Sequence, residues 1–194
     1  MNNSHISPVN KLTYGIGSIA YGVKSNGFDY WFLIFYSQAM GVDAYLVGLA
    51  LMISLVIDSL SDPLIGYFSD NTRTRWGRRH PFMYAAAIPV SLSYFFIWNP
   101  PASLSGNELF GYILFLAILV RTLITIYEIP NSAMVAEMTE DYDERTSILS
   151  YRFFFGWSGG TLMGACTSYY LLVPTSEYSH GIFNVVGYGQ MGLV

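Results

Sequence analysis

Asp58 and Asp62 lie four residues apart inside the apolar stretch from Ala44 to Tyr67. On a helix that spacing stacks both carboxylates on one face, about one turn from each other. Two adjacent acids in a medium of low dielectric repel, so either one takes a proton or a cation sits between them. Both outcomes tie ion binding to the state of the protein. Hard oxygen ligands suit Na⁺, Li⁺ and H⁺, and helix geometry alone does not choose among them. Pro63, directly after the second acid, removes a backbone donor and frees a carbonyl near Ser59; this is either a further oxygen ligand or a simple kink.

Lys24, Asp29, Arg121, Glu128 and, near the end of a stretch, Arg152 also fall within long apolar segments. An unpaired charge at the centre of a bilayer costs about 2.5 to 3.5 kcal/mol on insertion scales, so such residues face a protein interior or a water-filled cavity. The bland reading is that they form buried salt bridges that hold helices in register. Asp29, Asp58, Asp62 and Glu128 outnumber Lys24, Arg121 and Arg152 by one, a surplus negative charge that a bound Na⁺ or a proton would cancel. Arg121, Thr125 and Glu128 recur at spacings of four and three, which makes one polar stripe on an apolar helix. Lys24 and Asp29 stand about 140° apart on a helix and are not expected to pair. Gly15, Gly22 and Asp29 share a face at seven-residue spacing, suited to close helix packing or to a ligand.

The elements that must position these groups are membrane spans. Hydrophobic residues make up 53% of the 194-residue chain and charged residues 11%, about half the charged share of a soluble domain. A span needs about 20 mostly apolar residues. Five stretches meet that need, about 12–40, 44–67, 81–98, 109–135 and 151–173. A sixth, 182–194, is too short, so the chain reads as the amino-terminal half of a bundle, cut inside helix six, with the carboxy-terminal half absent. Arg73, Arg75, Arg78 and Arg79 crowd the connection between spans two and three, while the connections one span away carry neither Lys nor Arg. By the positive-inside bias that loop is cytoplasmic, and so are the amino terminus and the acidic segment from Glu137 to Thr146. Cys166 stands alone, which excludes an intrachain disulfide and a cysteine metal site. No basic tract suited to nucleic acid is present, and the polar start followed by a long Gly-rich span does not read as a cleaved signal peptide. No nucleophile and base share a recognisable spacing within a span, so an enzyme is not expected.

The run Asp58-Ser59-Leu60-Ser61-Asp62-Pro63, followed by Asp70-Asn71-Thr72-Arg73-Thr74-Arg75-Trp76-Gly77-Arg78-Arg79-His80-Pro81, closely resembles the glycoside–pentoside–hexuronide cation symporters, the melibiose permease type, within the major facilitator superfamily. A second block agrees: Glu128-Ile129-Pro130, then Asp143-Glu144-Arg145 and Tyr151-Arg152-Phe153-Phe154-Phe155. The resemblance implies an all-α membrane protein of two six-helix bundles that bind substrate and cation between them and work by alternating access. It further implies that Asp58 and Asp62 hold the coupling cation, directly if this is Na⁺. Thr125 matches a hydroxyl of the cation site, and Glu128 matches an acid shared between cation and sugar. Asp70 with Arg73, Arg75, Arg78 and Arg79 matches a loop that latches one conformation.

Two positions depart from the family pattern. The acid that binds sugar on span one aligns to Gly22, preceded by Tyr21 in place of Lys, and the span-five Arg aligns to Phe153, one residue after Arg152. Asp29, two turns beyond Gly22, is therefore expected to take over the acid's role. Arg152, Arg121 and Lys24 join it and Glu128 as candidate substrate contacts, with a cytoplasmic-side ion pair as the other reading of Arg152. The expectation is a cation-coupled symporter of a sugar or glycoside without further cofactors. It would sit in a plasma or bacterial inner membrane, monomeric when complete. A carrier of lipid or drug on the same fold, or a non-transporting sensor, is the alternative.

Overall fold

The computed structural model describes residues 6–193. Ser7 caps the first helix, α1 (Pro8–Ile16), by accepting from the Asn10 amide, with Pro8 in the first turn, where its missing N–H costs nothing. After a turn at Gly17 and Ser18 the chain resumes as α2 (Ile19–Asn26). It then runs through a π-helical segment Gly27–Trp31, a short α3 (Phe32–Ile34) and a second π-helical segment Phe35–Ala39. The first span is thus one rod with a break and two wide turns. Gly41 reverses it at φ 71°, a conformation that favours glycine.

Asp43 caps the next helix, α4 (Ala44–Asn71), which stays helical through Pro63. There follow α5 (His80–Trp98), α6 (Gly106–Met138) and α7 (Tyr142–Cys166), the last prolonged by a π-helical turn Thr167–Leu171. Asp141 caps α7 by accepting from the Glu144 amide, and Asp143 and Glu144 add negative charge where the helix dipole is positive. A 3₁₀ turn, Gly181–Phe183, leads into α8 (Val185–Met191). By length and composition alone, α4, α5 and α6 are apolar enough to cross a membrane. Apart from an isolated bridge between Thr74 and Gly77, there is no β-structure among the described residues.

α6 is the hub for one half of the bundle and packs against α4 and α5, while α1 and α2 pack against α7. In lipid there is little hydrophobic force between helices, so close van der Waals contact at small residues must supply the attraction. Gly22 meets that requirement: a Cβ there would fall 1.8 Å from the Gly156 carbonyl oxygen and 2.9 Å from the Gly160 nitrogen. The Gly15 and Gly22 face seen in the sequence is therefore a backbone-to-backbone seam with α7. At the far end, Phe28, Phe32, Phe35 and Tyr36 of the first span join Trp98 of α5 and Tyr188 of α8 in one aromatic cluster. Trp98 and Tyr188 stack at 6.1 Å, and the Tyr36 hydroxyl donates to the Ile97 carbonyl at 2.5 Å. These contacts key α8 into the bundle.

Candidate functional site

α4 and α6 bring the acid pair and the polar stripe together. The Thr125 hydroxyl donates to Asp58 Oδ1 at 2.7 Å, and Arg121 Nη1 stands 3.7 Å from Asp58 Oδ2. Asp58 thus has one oxygen hydrogen-bonded and the other facing a guanidinium. One turn later, Asp62 Oδ1 is buried with no hydrogen-bond partner. The backbone around the pair is partly spoken for: the Ser61 hydroxyl donates to the Asp58 carbonyl at 2.9 Å and the Ser59 hydroxyl to Val56 at 2.8 Å.

Glu128 turns the other way from its stripe neighbours. It makes a direct ion pair with Arg152 of α7, and the two side chains are only 13% and 14% exposed. The stripe on α6 therefore serves two partners, Arg121 and Thr125 toward α4 and Glu128 toward α7. This follows from the 100° step per residue, since a three-residue advance rotates the side chain back by about 60°.

Arg152 also lines a groove of about 370 Å³ between the first span and α7, together with Asp29, Tyr21, Tyr30, Phe153 and Trp157. Asp29 is exposed on the π-helical segment Gly27–Trp31. Gly22 forms part of the floor of the groove, where no side chain fits. Lys24 lies in the field of Arg121, Asp58, Asp29 and Asp62, with its ammonium 5.1 Å from the centre of the Tyr21 ring. Lys24 and Asp29 make no direct ion pair with each other among the described residues, although the π-helical segment that carries Asp29 departs from the 100° step on which that expectation rests.

At the opposite end, the Arg-rich connection closes on two helices. Arg79 Nη2 stands 3.1 Å from Asp70 Oδ1 and Arg79 Nε 3.4 Å from Glu137 Oε1, which also accepts from Arg78 Nη2 at 2.5 Å. Arg73 and Arg75 are exposed and form no ion pair among the described residues. In the sequence Glu137 reads only as part of an acidic loop. Its role as the α6 end of this clamp had one signal, its position at the last turn of the helix that faces the Arg-rich connection. A second clamp was also missed: Lys11 Nζ of α1 meets Glu144 Oε2 of α7 at 2.7 Å and donates to the Ser147 hydroxyl at 3.0 Å.

A family model described as MFS/sugar transport protein matches residues 13–190. The chain belongs to this family. An uncharacterised symporter of Synechocystis sp. is 36% identical over 157 residues, 78% of this chain and 29% of that protein. The inner membrane symporter YicJ of Escherichia coli is 29% identical over 163 residues, 84% of this chain and 35% of the relative. The sodium-dependent lysophosphatidylcholine symporter 1 of Gallus gallus is 27% identical over 152 residues, 78% and 28% respectively. The chain spans about a third of the length of these relatives. The resemblance to the glycoside–cation symporters is borne out, and with it the major facilitator fold of an integral membrane protein that crosses more than once.

Proposed function

We propose that the complete protein containing this chain is a cation-coupled symporter of a sugar or glycoside, with Na⁺, Li⁺ or H⁺ bound at Asp58 and Asp62. The observation that carries this reading is Asp62 Oδ1, a buried carboxylate oxygen without a hydrogen-bond partner, beside a second acid that Thr125 hydrogen-bonds and Arg121 faces. A carboxylate oxygen left unpaired in a span is costly, and a cation or a proton removes the cost. If cation binding favours the substrate-receptive state, substrate tightens cation binding by the same factor. Asp29 and Arg152, which line the groove, together with Glu128, Lys24 and Arg121, would supply hydrogen bonds for hydroxyl groups, and Tyr21, Tyr30, Phe153 and Trp157 would supply flat surfaces for sugar rings. The Asp70, Arg78, Arg79 and Glu137 clamp would hold one end shut during part of the cycle, with Arg73 and Arg75 free to engage in another. Membership of a family described by sugar transport supports the substrate class.

The amino terminus and the Arg-rich connection lie in the cytoplasm in this reading, and the membrane is a plasma or bacterial inner membrane. The complete protein works as a monomer. Uptake of a panel of labelled glycosides by cells expressing the complete gene, with and without a Na⁺ or proton gradient, is the test. Gradient-driven uptake that is lost in Asp62→Asn is the expected result, and uptake indifferent to both gradients and to the substitution would overturn the proposal. A lipid carrier is the second reading, because one relative is a sodium-dependent lysophosphatidylcholine symporter. Gradient-driven uptake of labelled lysophospholipid, with no glycoside transported, would establish it instead.

A further inference from the structure

Arg121 is held loosely by its neighbours, and it sits between two regions that a symporter must connect. Its Nη1 is 3.7 Å from Asp58 Oδ2, too long for a hydrogen bond, and its buried Nε has no hydrogen-bond partner. Its guanidinium carbon lies 5.1 Å from the centre of the Phe28 ring, within cation–π range. Phe28 adjoins Asp29 on the π-helical segment Gly27–Trp31 and stacks on Phe32 at 5.0 Å. Segments of this kind are frequent at functional sites. One guanidinium thus touches the acid pair on one side and the wall segment of the groove on the other.

We infer that Arg121 is a tethered counter-cation that the coupling ion displaces from Asp58, and that its cation–π contact with Phe28 passes this displacement to the segment carrying Asp29. The inference rests on the proposed cation site at Asp58 and Asp62. With no ion bound, the guanidinium neutralises Asp58. An arriving cation takes Asp58 and Asp62 together, and Arg121 then leans on Phe28 alone. A competitor that never leaves the protein lowers the apparent affinity for the ion, and by linkage the ion acts back on whatever Arg121 touches. A merely structural Arg would behave differently, since its loss would loosen the α4 and α6 contact and weaken ion binding.

The two roles predict opposite signs. Calorimetric titration of the purified complete protein with NaCl and with LiCl, in the absence of any organic substrate, reads the apparent dissociation constant for the ion. Arg121→Gln is expected to lower that constant at least about fivefold, the lower end of ordinary coupling strengths. Phe28→Leu, which removes the resting surface and leaves Arg121 to Asp58, is expected to raise it. An unchanged or raised constant in Arg121→Gln overturns the inference while leaving the cation site intact. Should Arg121→Gln fail to accumulate in the membrane, Phe28→Leu decides alone, with a raised constant supporting the inference and an unchanged one overturning it. A wild-type protein that binds neither Na⁺ nor Li⁺ overturns a metal-ion site at the acid pair and this inference with it.

Discussion

Replacing Gly22 by alanine sets two terms of known size against each other. A glycine in the interior of a helix is worse than alanine by about 0.8 to 1.0 kcal/mol, so on propensity alone Gly22→Ala would stabilise α2. The added Cβ, however, falls 1.8 Å from the Gly156 carbonyl oxygen, 2.8 Å from its carbon and 2.9 Å from the Gly160 nitrogen. All three obstacles are backbone atoms of α7, so no side chain can rotate out of the way, and the two helices must part by more than an ångström. Extra methylenes in a packed interior cost about 1 to 3 kcal/mol where side chains absorb them, and a rigid obstacle belongs at the upper end. Steric cost exceeds propensity gain, and a net loss of about 2 kcal/mol is expected, the upper steric figure less the propensity gain. Gly48→Ala and Gly111→Ala are the controls, because a Cβ at either position meets nothing within 4 Å. Thermal unfolding of the complete protein in detergent measures all three. Gly22→Ala melting at or above the wild type would refute the seam between α2 and α7.

Three further outcomes are expected. Glu128→Gln leaves the Arg152 guanidinium, 14% exposed, without its counter-charge; a double-mutant cycle with Arg152→Gln, read by thermal unfolding, should show a coupling of about 3 kcal/mol. Lys11→Ala removes half of a pair whose side chains are 11% and 12% exposed and should cost up to about 3 kcal/mol, whereas Lys11→Glu combined with Glu144→Lys should recover most of the melting temperature. Glu137→Gln should hardly change stability, because Glu137 is 41% exposed, its pair with Arg78 is half exposed and Arg79 keeps Asp70, and exposed pairs contribute about 1 kcal/mol or less. It should nevertheless free the Arg-rich connection, so that trypsin cuts there faster in inside-out vesicles and not at all in sealed right-side-out ones.

What was legible in the sequence followed from periodicity and from the cost of charge in lipid. The four-residue spacing puts Asp58 and Asp62 on one face, and the stripe on α6 delivers Thr125 and Arg121 to that face. The glycine period marked the seam with α7 without saying which residues lay across it. Contacts between distant elements were not legible, because no local rule links Lys11 to Glu144 or Glu137 to Arg79 across intervening helices. The wide turns of the first span were hidden as well: a π-helical turn shifts the angular register, so the 100° step that separates Lys24 from Asp29 on paper does not hold through Gly27–Trp31.

The charge count is where sequence and structure meet most usefully. Four acids against three bases left one negative charge without an address. Arg152 is committed to Glu128 and Arg121 leans on Asp58, so Lys24, in the field of Asp58 first and then of Asp29 and Asp62, is the base left for the remaining two acids. One ammonium neutralises one carboxylate. Asp29 is exposed at the groove, where water or substrate hydroxyls can solvate it, while Asp62 holds a buried oxygen without a partner. The cost of leaving a charge uncompensated grows as solvent is withdrawn, so Asp62 gains more than Asp29 from an incoming cation. On that argument the surplus charge and the proposed coupling ion would share one address, the second acid of the pair.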